Sequence, residues 1–411
     1  MLHTLSYLLL LCFCCELVAF LLLQRTGDGA AKPLCFDSKE LKKKLTFRKV
    51  ILNQVFAHYM TIDANIGYRT KANCKPFRLL KRLPGNKKRF KEVKVKNFFE
   101  IRTDNQGFIA NKEGQNRNYC EIARDPSVFK VVIVGASVSA GYGTKSGEYA
   151  WPALLEQQLN TQLPEGYREA VVINSSILGS RLTQDMKRLQ DELLFLNPHL
   201  VIAYGGGDAD YRYFGNPVDL SYAAVQKELN EKANTSFIAR QKILLPNLFA
   251  YLEHRSSKQE TSTSYPYRNA NYIKLSSAQY NLAKVKQMKG LCDAHGAGFL
   301  FFLQPGMGVG HKHYSKQEQN LITYFERYFF EMNWDEYVAS LDAYFSELRP
   351  QLTEEYMHDI MNIFDEHEET LYADPRHPNE AGHEILAKHI HEAMQAPRQD
   401  DTSLGTISQI A

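Results

Sequence analysis

The sequence predicts an α/β fold, a doubly wound parallel sheet with helices on both faces. Three observations predict it. Short apolar runs rich in β-branched or aromatic residues recur at 131–134, 170–173, 200–204 and 298–303, as expected for strands buried on both faces. Segments with apolar residues at helical spacing alternate with them, the rhythm of βαβ units. Each run also stops at glycine or a polar cluster, which places small and polar residues at the carboxyl edge of the sheet, where open α/β folds bind ligands.

The chain begins with a nearly unbroken apolar stretch, residues 5–23, interrupted only by Ser6 and Glu16. It is long enough to span a bilayer as a helix, and no A-x-A-like cleavage site directly follows, so an uncleaved membrane anchor is expected. Basic residues follow the span, among them Arg25, Lys32 and Lys42 to Lys44. Taken alone they would keep the body of the protein in the cytoplasm, although long domains translocate largely regardless of charge. Residues 69–96 are strongly basic with Glu92 as the lone acid, either a solvated arm or a patch facing anionic lipid or an acidic glycan. Turn signals at Asn65 to Gly67, Pro84-Gly85 and Gln106-Gly107 mark this segment as an irregular, β-rich lead-in.

The overall net charge of +3 makes no case for nucleic acid, and the basic stretch has too few aromatics to stack bases. With 411 residues, 44 % of them hydrophobic, the chain suffices for one large domain or two modest ones. Among Cys35, Cys74, Cys120 and Cys292 no C-x-x-C pair occurs, which argues against a zinc site.

The first predicted strand runs into Gly135-Ala136-Ser137. Ser137 is either a capping serine at an ordinary strand-to-helix corner or a nucleophile beside an anion site. A helix is expected over 151–163. The second strand, 170–173, leads to Asn174-Ser175-Ser176 and Gly179-Ser180, with a helix over 184–196 behind it. The third, 200–204, ends in Gly205-Gly206-Gly207-Asp208, backbone brought close to a loop or a substrate. Residues 211–271 break the rhythm and read as a helical insertion; its Asn234-Thr235-Ser236 fits a glycosylation acceptor. The fourth strand, 298–303, is followed by Gln304-Pro305-Gly306 and by helices over 315–330 and 335–347. A last short strand is expected at 369–372, then a helix over 379–394 capped by Asn379. The polar tail, 395–411, is expected to be disordered.

Asp374 and His377 lie three residues apart on a proline-stiffened loop. A carboxylate orients an imidazole, and the imidazole takes a serine proton and returns it to a leaving group. The pair alone says little in a chain with 13 histidines. Order and placement say more: a serine after the first strand, glycines after the second and third, Asp and His after the last.

With these residues the chain resembles the SGNH (GDSL-type) serine hydrolases. Gly135-Ala136-Ser137-Val138 is similar to the family's first block, Gly179 to the glycine of the second, Gly205 to Asp208 to the third. Asp374-Pro375-Arg376-His377-Pro378 with Glu380-Ala381-Gly382-His383 is similar to the last. Ile66-Gly67-Tyr68-Arg69 and Asn105-Gln106-Gly107-Phe108 resemble the lead-in of membrane-anchored bacterial members. Two positions depart from the pattern. Ala136 stands where the family usually has Asp, and Gly207, or Asp208 in a register shifted by one, stands where it supplies an Asn side chain to the oxyanion hole.

The resemblance implies a three-layer α/β/α sandwich with a parallel, flavodoxin-like sheet. The resemblance covers residues 126–394, a hydrolase-like domain, and leaves an N-terminal transmembrane anchor or signal segment (1–27), a basic lead-in or cap segment (28–125) and a disordered tail (395–411) outside it. It implies Ser137 as nucleophile, Asp374 and His377 completing the triad, and an oxyanion site at Ser137, Gly179, Gly207 and Asp208, with no metal or organic cofactor. The expected activity is hydrolysis of an O-acyl ester of an envelope glycan or lipid. The alternatives are O-acetyl transfer with the same triad and a catalytically inactive, membrane-anchored binding protein. Anchored relatives place the domain outside the cytoplasmic membrane, on the periplasmic face, where Cys35, Cys74 and Cys120 could supply a disulfide.

Overall fold

The computed structural model describes residues 17–18, 21, 58–63, 65–76, 101–206, 248, 276–328 and 333–395. The lead-in opens with an antiparallel hairpin, β1 (Met60–Asp63) and β2 (Gly67–Thr70), joined at the Asn65-Ile66 turn. The Asp63 carboxylate closes that turn by accepting from the amides of Asn65 (2.9 Å) and Ile66 (3.1 Å), the local bonding that favours Asp before a turn. A second turn, at Asn105 to Gly107, is tied by the Asp104 side chain, which accepts from the amides of Gln106 (2.9 Å) and Phe108 (3.0 Å). A short helix, α1 (Tyr119–Arg124), capped by Asn118, leads into the sheet.

The sheet has five parallel strands, β3 (Val128–Gly135), β4 (Glu169–Asn174), β5 (Leu200–Gly205), β6 (Gly298–Leu303) and β7 (Met357–Asp359), in the order β4-β3-β5-β6-β7. All eight residues of β3 are buried, and alternate side chains serve opposite layers. Val132, Val134, Val201, Ala203, Phe299 and Phe301 face one way; Val131, Ile133, Ile202, Tyr204, Leu300 and Phe302 face the other. This period of two, hidden in a continuous apolar run, is why the strands read as uniformly hydrophobic. Each valine, leucine, isoleucine or phenylalanine among them contributes roughly 1.5–3 kcal/mol by leaving water, enough to fix the register of the sheet.

Helices α2 (Trp151–Thr161), α5 (Lys316–Tyr328) and α7 (Glu380–Gln395) place Trp151, Leu155, Leu321, Leu386 and Ile390 on the Val131 face. Helices α3 (Leu182–Asp191), α4 (Ser277–Ala294) and α6 (Trp334–Leu348) cover the other face with Leu189, Val285, Met288, Leu341 and Phe345. The result is a sheet between two helical layers.

Several expectations need correction. The last strand of the sheet is β7, not residues 369–372. The Glu318 carboxylate accepts from the amides of Leu371 (2.9 Å) and Tyr372 (3.2 Å), so a side chain takes those donors before a sheet edge can. Tyr372–Asp374 (β8) pairs instead with His377–Pro378 (β9) in a separate two-stranded ribbon. The helix expected over 184–196 ends at Asp191, and a 3₁₀ turn, Leu193–Leu196, follows. Helix α4 was not anticipated, although its capping box at Ser276 and Gln279 and its apolar residues Leu282, Val285 and Met288 carry the signal. Cys74, Cys120 and Cys292 are free thiols, so Cys74 and Cys120 are not bridged to each other.

The chain divides into two units, one of Met1–Ala57 with Asp219–Ile273 and one of His58–Val218 with Lys274–Ala411. The first contributes only Leu17, Val18, Leu21 and Leu248 to the described residues, all helical. The second holds the sheet and the hairpin. Nearly all of the expected anchor at residues 5–23 lies outside the described residues, as do residues 77–100, the glycosylation tripeptide, nearly all of the insertion and all of the tail beyond Gln395. Among the described residues no helix is long and apolar enough to cross a membrane.

Candidate active site

The serine turn is set by a close approach at the end of β3. A side chain at Gly135 would fall on the Ser139 hydroxyl and within 2.6 Å of the Tyr204 carbonyl oxygen, so only glycine fits. Beyond it the backbone coils tightly: Ala140 donates to the Ala136 carbonyl (3.0 Å), Gly141 to Val138 (2.8 Å) and Tyr142 to Ser137 (2.9 Å). Backbone bonds hold this turn where Ala136 supplies no carboxylate. Asn174, at the end of β4, braces it by donating from its amide to the Ser139 carbonyl (2.7 Å).

Asp374 ends β8 and His377 begins β9, so their spacing of three is the span of the Pro375-Arg376 turn. One carboxylate oxygen of Asp374 accepts from the amides of Arg376 (2.8 Å) and His377 (3.1 Å), and His377 Nδ1 lies 2.8 Å from both oxygens. Burial pushes the Asp374 carboxyl up, but the charge and hydrogen bond of His377, the Arg376 amide and the Arg376 guanidinium together hold it below the ordinary aspartate value. A charged Asp374 requires the proton on His377 Nδ1. In the neutral imidazole that leaves Nε2 as an acceptor, and it lies 2.8 Å from Ser137 Oγ. The Tyr142 ring lies against the imidazole, centroid to centroid 4.2 Å. The structure therefore brings Ser137, His377 and Asp374 into one continuous hydrogen-bonded line.

Gly179 follows β4 with φ +73°, a left-handed conformation that favours glycine. Its turn is pinned to the end of β3: Ile177 N and Ser180 Oγ both donate to the Gly135 carbonyl, each at 3.0 Å. The Ser137 and Gly179 amides have no partner among the described residues, and both residues are partly exposed at the carboxyl edge of the sheet. Gly207 and Asp208 lie outside the described residues; just before them, the Gly205 carbonyl accepts from Gln304 N (3.1 Å). Among the described residues no group of three His, Cys, Asp or Glu side chains is placed to hold a metal ion.

Two features around the site were missed in the sequence. Lys312 is buried and donates from Nζ to the carbonyls of His367 (2.7 Å) and Glu369 (2.9 Å), 3.4 Å from the fully buried Glu318. Glu318 in turn accepts from the Ser315, Leu371 and Tyr372 amides. This buried pair clamps the strand that delivers Asp374. Ser315 and Glu318 show the spacing of a capping box, a readable signal, but nothing in the pattern announced the burial. The second is the contact made by His383, a residue of the last block that is wholly buried on α7: its Nδ1 accepts from the Trp151 amide (3.0 Å). It ties the last helix to the first helix behind the serine.

The sequence model of the GDSL-like lipase/acylhydrolase family matches residues 131–390, more than half of the chain. A search of curated proteins gives no significant match. Among solved structures, TesA is 17 % identical and is covered to 98 %, with 65 % of this chain covered and a TM-score of 0.35. LAE5, an alpha/beta hydrolase from the metagenome of Lake Arreo, Spain, is 16 % identical, with 94 % of it and 64 % of this chain covered and a TM-score of 0.35. A His-to-Ala catalytic mutant of Axe2, an acetylxylan esterase from Geobacillus stearothermophilus, is 15 % identical, with 97 % of it and 66 % of this chain covered and a TM-score of 0.36. At these scores the structural likenesses add no weight; the family match, with its span from the serine turn through the last helix, does: the chain belongs to the GDSL-like lipase/acylhydrolase family and is a carboxylic ester hydrolase.

Proposed function

We propose that the protein is a serine esterase that hydrolyses an O-acyl ester of an envelope glycan or lipid, with Ser137 as nucleophile. The observation that carries this reading is the line from Ser137 Oγ to His377 Nε2 (2.8 Å) and from His377 Nδ1 to Asp374 (2.8 Å), beside two amides without a partner among the described residues. Ser137 Oγ attacks the acyl carbon while its proton passes to His377 Nε2. The carbonyl oxygen becomes an oxyanion that accepts from the Ser137 and Gly179 amides. The imidazolium, stabilised by Asp374, gives its proton to the departing alcohol. Water then repeats the sequence against the acyl-enzyme and releases the carboxylic acid, restoring Ser137.

The substrate class rests on the sequence. The apolar stretch 5–23 supports an anchor, and an extracytoplasmic domain next to a membrane meets envelope esters; the basic residues of 69–96 suit an anionic one. A second reading, an inactive binding protein, is favoured by a single observation: Gly207 and Asp208 provide no Asn at the third block, and one missing oxyanion donor lowers turnover by about 100- to 1,000-fold.

Fluorophosphonate labelling of the full-length chain tests the reading, with Ser137→Ala and His377→Ala alongside. Labelling of wild type that both substitutions abolish is expected, followed by turnover of short-chain esters. A folded wild type that neither labels nor turns over ester would leave the binding protein. Transfer to a sugar hydroxyl would show as acylated sugar instead of free acid.

A further inference from the structure

The lead-in hairpin reaches the site from outside the residues that match the family. Tyr68, on β2 and only 4 % exposed, donates from its hydroxyl to the Gly179 carbonyl at 2.6 Å. Two further contacts hold the hairpin on the helix that follows Gly179. Gln184 of α3 donates from its side-chain amide to the Ile66 carbonyl (2.8 Å). Arg69, next to Tyr68, bridges Asp63 of its own hairpin and Glu192 just beyond α3. Glu192 also faces Arg188, whose guanidinium donates to the Ser175 carbonyl in the same loop after β4.

We propose that Tyr68 is a positioning residue for the oxyanion site, fixing the backbone that presents the Gly179 amide; this rests on the hydrolase reading above. The Gly179 carbonyl and the Ser180 amide form one rigid peptide plane. Tyr68 holds its oxygen, while Ser180 N donates to the Ile177 carbonyl at 3.0 Å on the other side. Glycine has the most backbone freedom of any residue, so at φ +73° the plane needs external restraint. An oxyanion donor is effective because it is aimed before charge develops. A displacement of about 1 Å at a reacting centre costs about 100-fold in rate. Tyr68 thus restrains a donor that itself has no partner within the described protein, and it does so without touching substrate.

The test is Tyr68→Phe in the full-length chain, which removes one oxygen and keeps the ring. Two readouts are taken together: hydrogen exchange at the Ser180 amide, and kcat and KM on p-nitrophenyl acetate across pH. The expected result is exchange at Ser180 accelerated about 10-fold or more, with exchange at residues 131–134 unchanged. We expect kcat down about 10- to 100-fold, KM within about threefold and the pH midpoint of the rate unmoved. Unchanged exchange at Ser180, or a kcat within about twofold of wild type, overturns the proposal. So does faster exchange spread through the sheet, which would make Tyr68 a general stabiliser. If wild type shows no turnover, the hydrolase reading fails while exchange still decides whether Tyr68 holds the loop.

Discussion

Substituting His383 by Asn should remove one share of this protein's sensitivity to mild acid, His199 holding another. Burial pushes the His383 imidazole down, the neighbouring His377 pushes it further, and the Tyr142 carbonyl opposes them only in part, leaving it at about 3. In the unfolded chain a histidine titrates near 6.5. Above that value neither state binds the proton and His383 has no effect. As pH falls below it the unfolded chain protonates first, so the fold loses stability until the folded value is reached. Between pH 7 and pH 4.5 the gap in bound protons integrates over about two pH units, roughly 2–3 kcal/mol. Asn keeps an acceptor for the Trp151 amide and cannot titrate; at pH 7 its shorter reach should cost roughly 1–3 kcal/mol. Urea unfolding of both proteins at the two pH values isolates the term. Wild type should lose roughly 2–3 kcal/mol more than the variant on acidification. Equal losses would refute the assignment of a buried, neutral imidazole at this position.

Two further outcomes follow from the clamps around the site. Gly135→Ala forces a methyl against Ser139 and the Tyr204 carbonyl; it should cost roughly 1–3 kcal/mol in urea unfolding and slow fluorophosphonate labelling, because the displaced turn carries Ser137. Lys312→Met leaves the Glu318 carboxylate buried without its cation and should cost roughly 3–5 kcal/mol, read as a lowered thermal midpoint.

Much of the sheet was legible because buried parallel strands leave a pattern that survives in one sequence: apolar runs ended by glycine at 131–135 and 200–205, and by Gln304-Pro305 at 298–303. Strand β7, with Met357, His358 and Asp359, is too short and polar to show it, and residues 369–372 mimic a strand better than they form one. The approach of Asp374 and His377 to each other was legible in their spacing, because a two-residue turn is local. Their approach to Ser137 could be expected only from order along the chain and from the family resemblance. The contacts of Tyr68, noticed only as part of the lead-in, and of Lys312 left no trace, since their partners are 111 and 55 residues away and nothing in an isolated tyrosine or lysine reports what it will touch.

The hydrogen bond between Ser137 and His377 joins residues 240 positions apart, across nearly the whole matched domain. If Ser137 and His377 act as proposed, they form a chemical unit only when the chain between them has closed, which would make reactivity a reporter of cooperative folding. During synthesis the serine leaves the ribosome long before its base does. On the proposed assignment, a nascent chain lacking the final ribbon and α7 should carry an unactivated Ser137, and phosphonate labelling of chains truncated before residue 372 should be lost. In denaturant, loss of phosphonate reactivity should coincide with loss of the sheet if the domain unfolds in two states, so one active-site titration counts folded molecules.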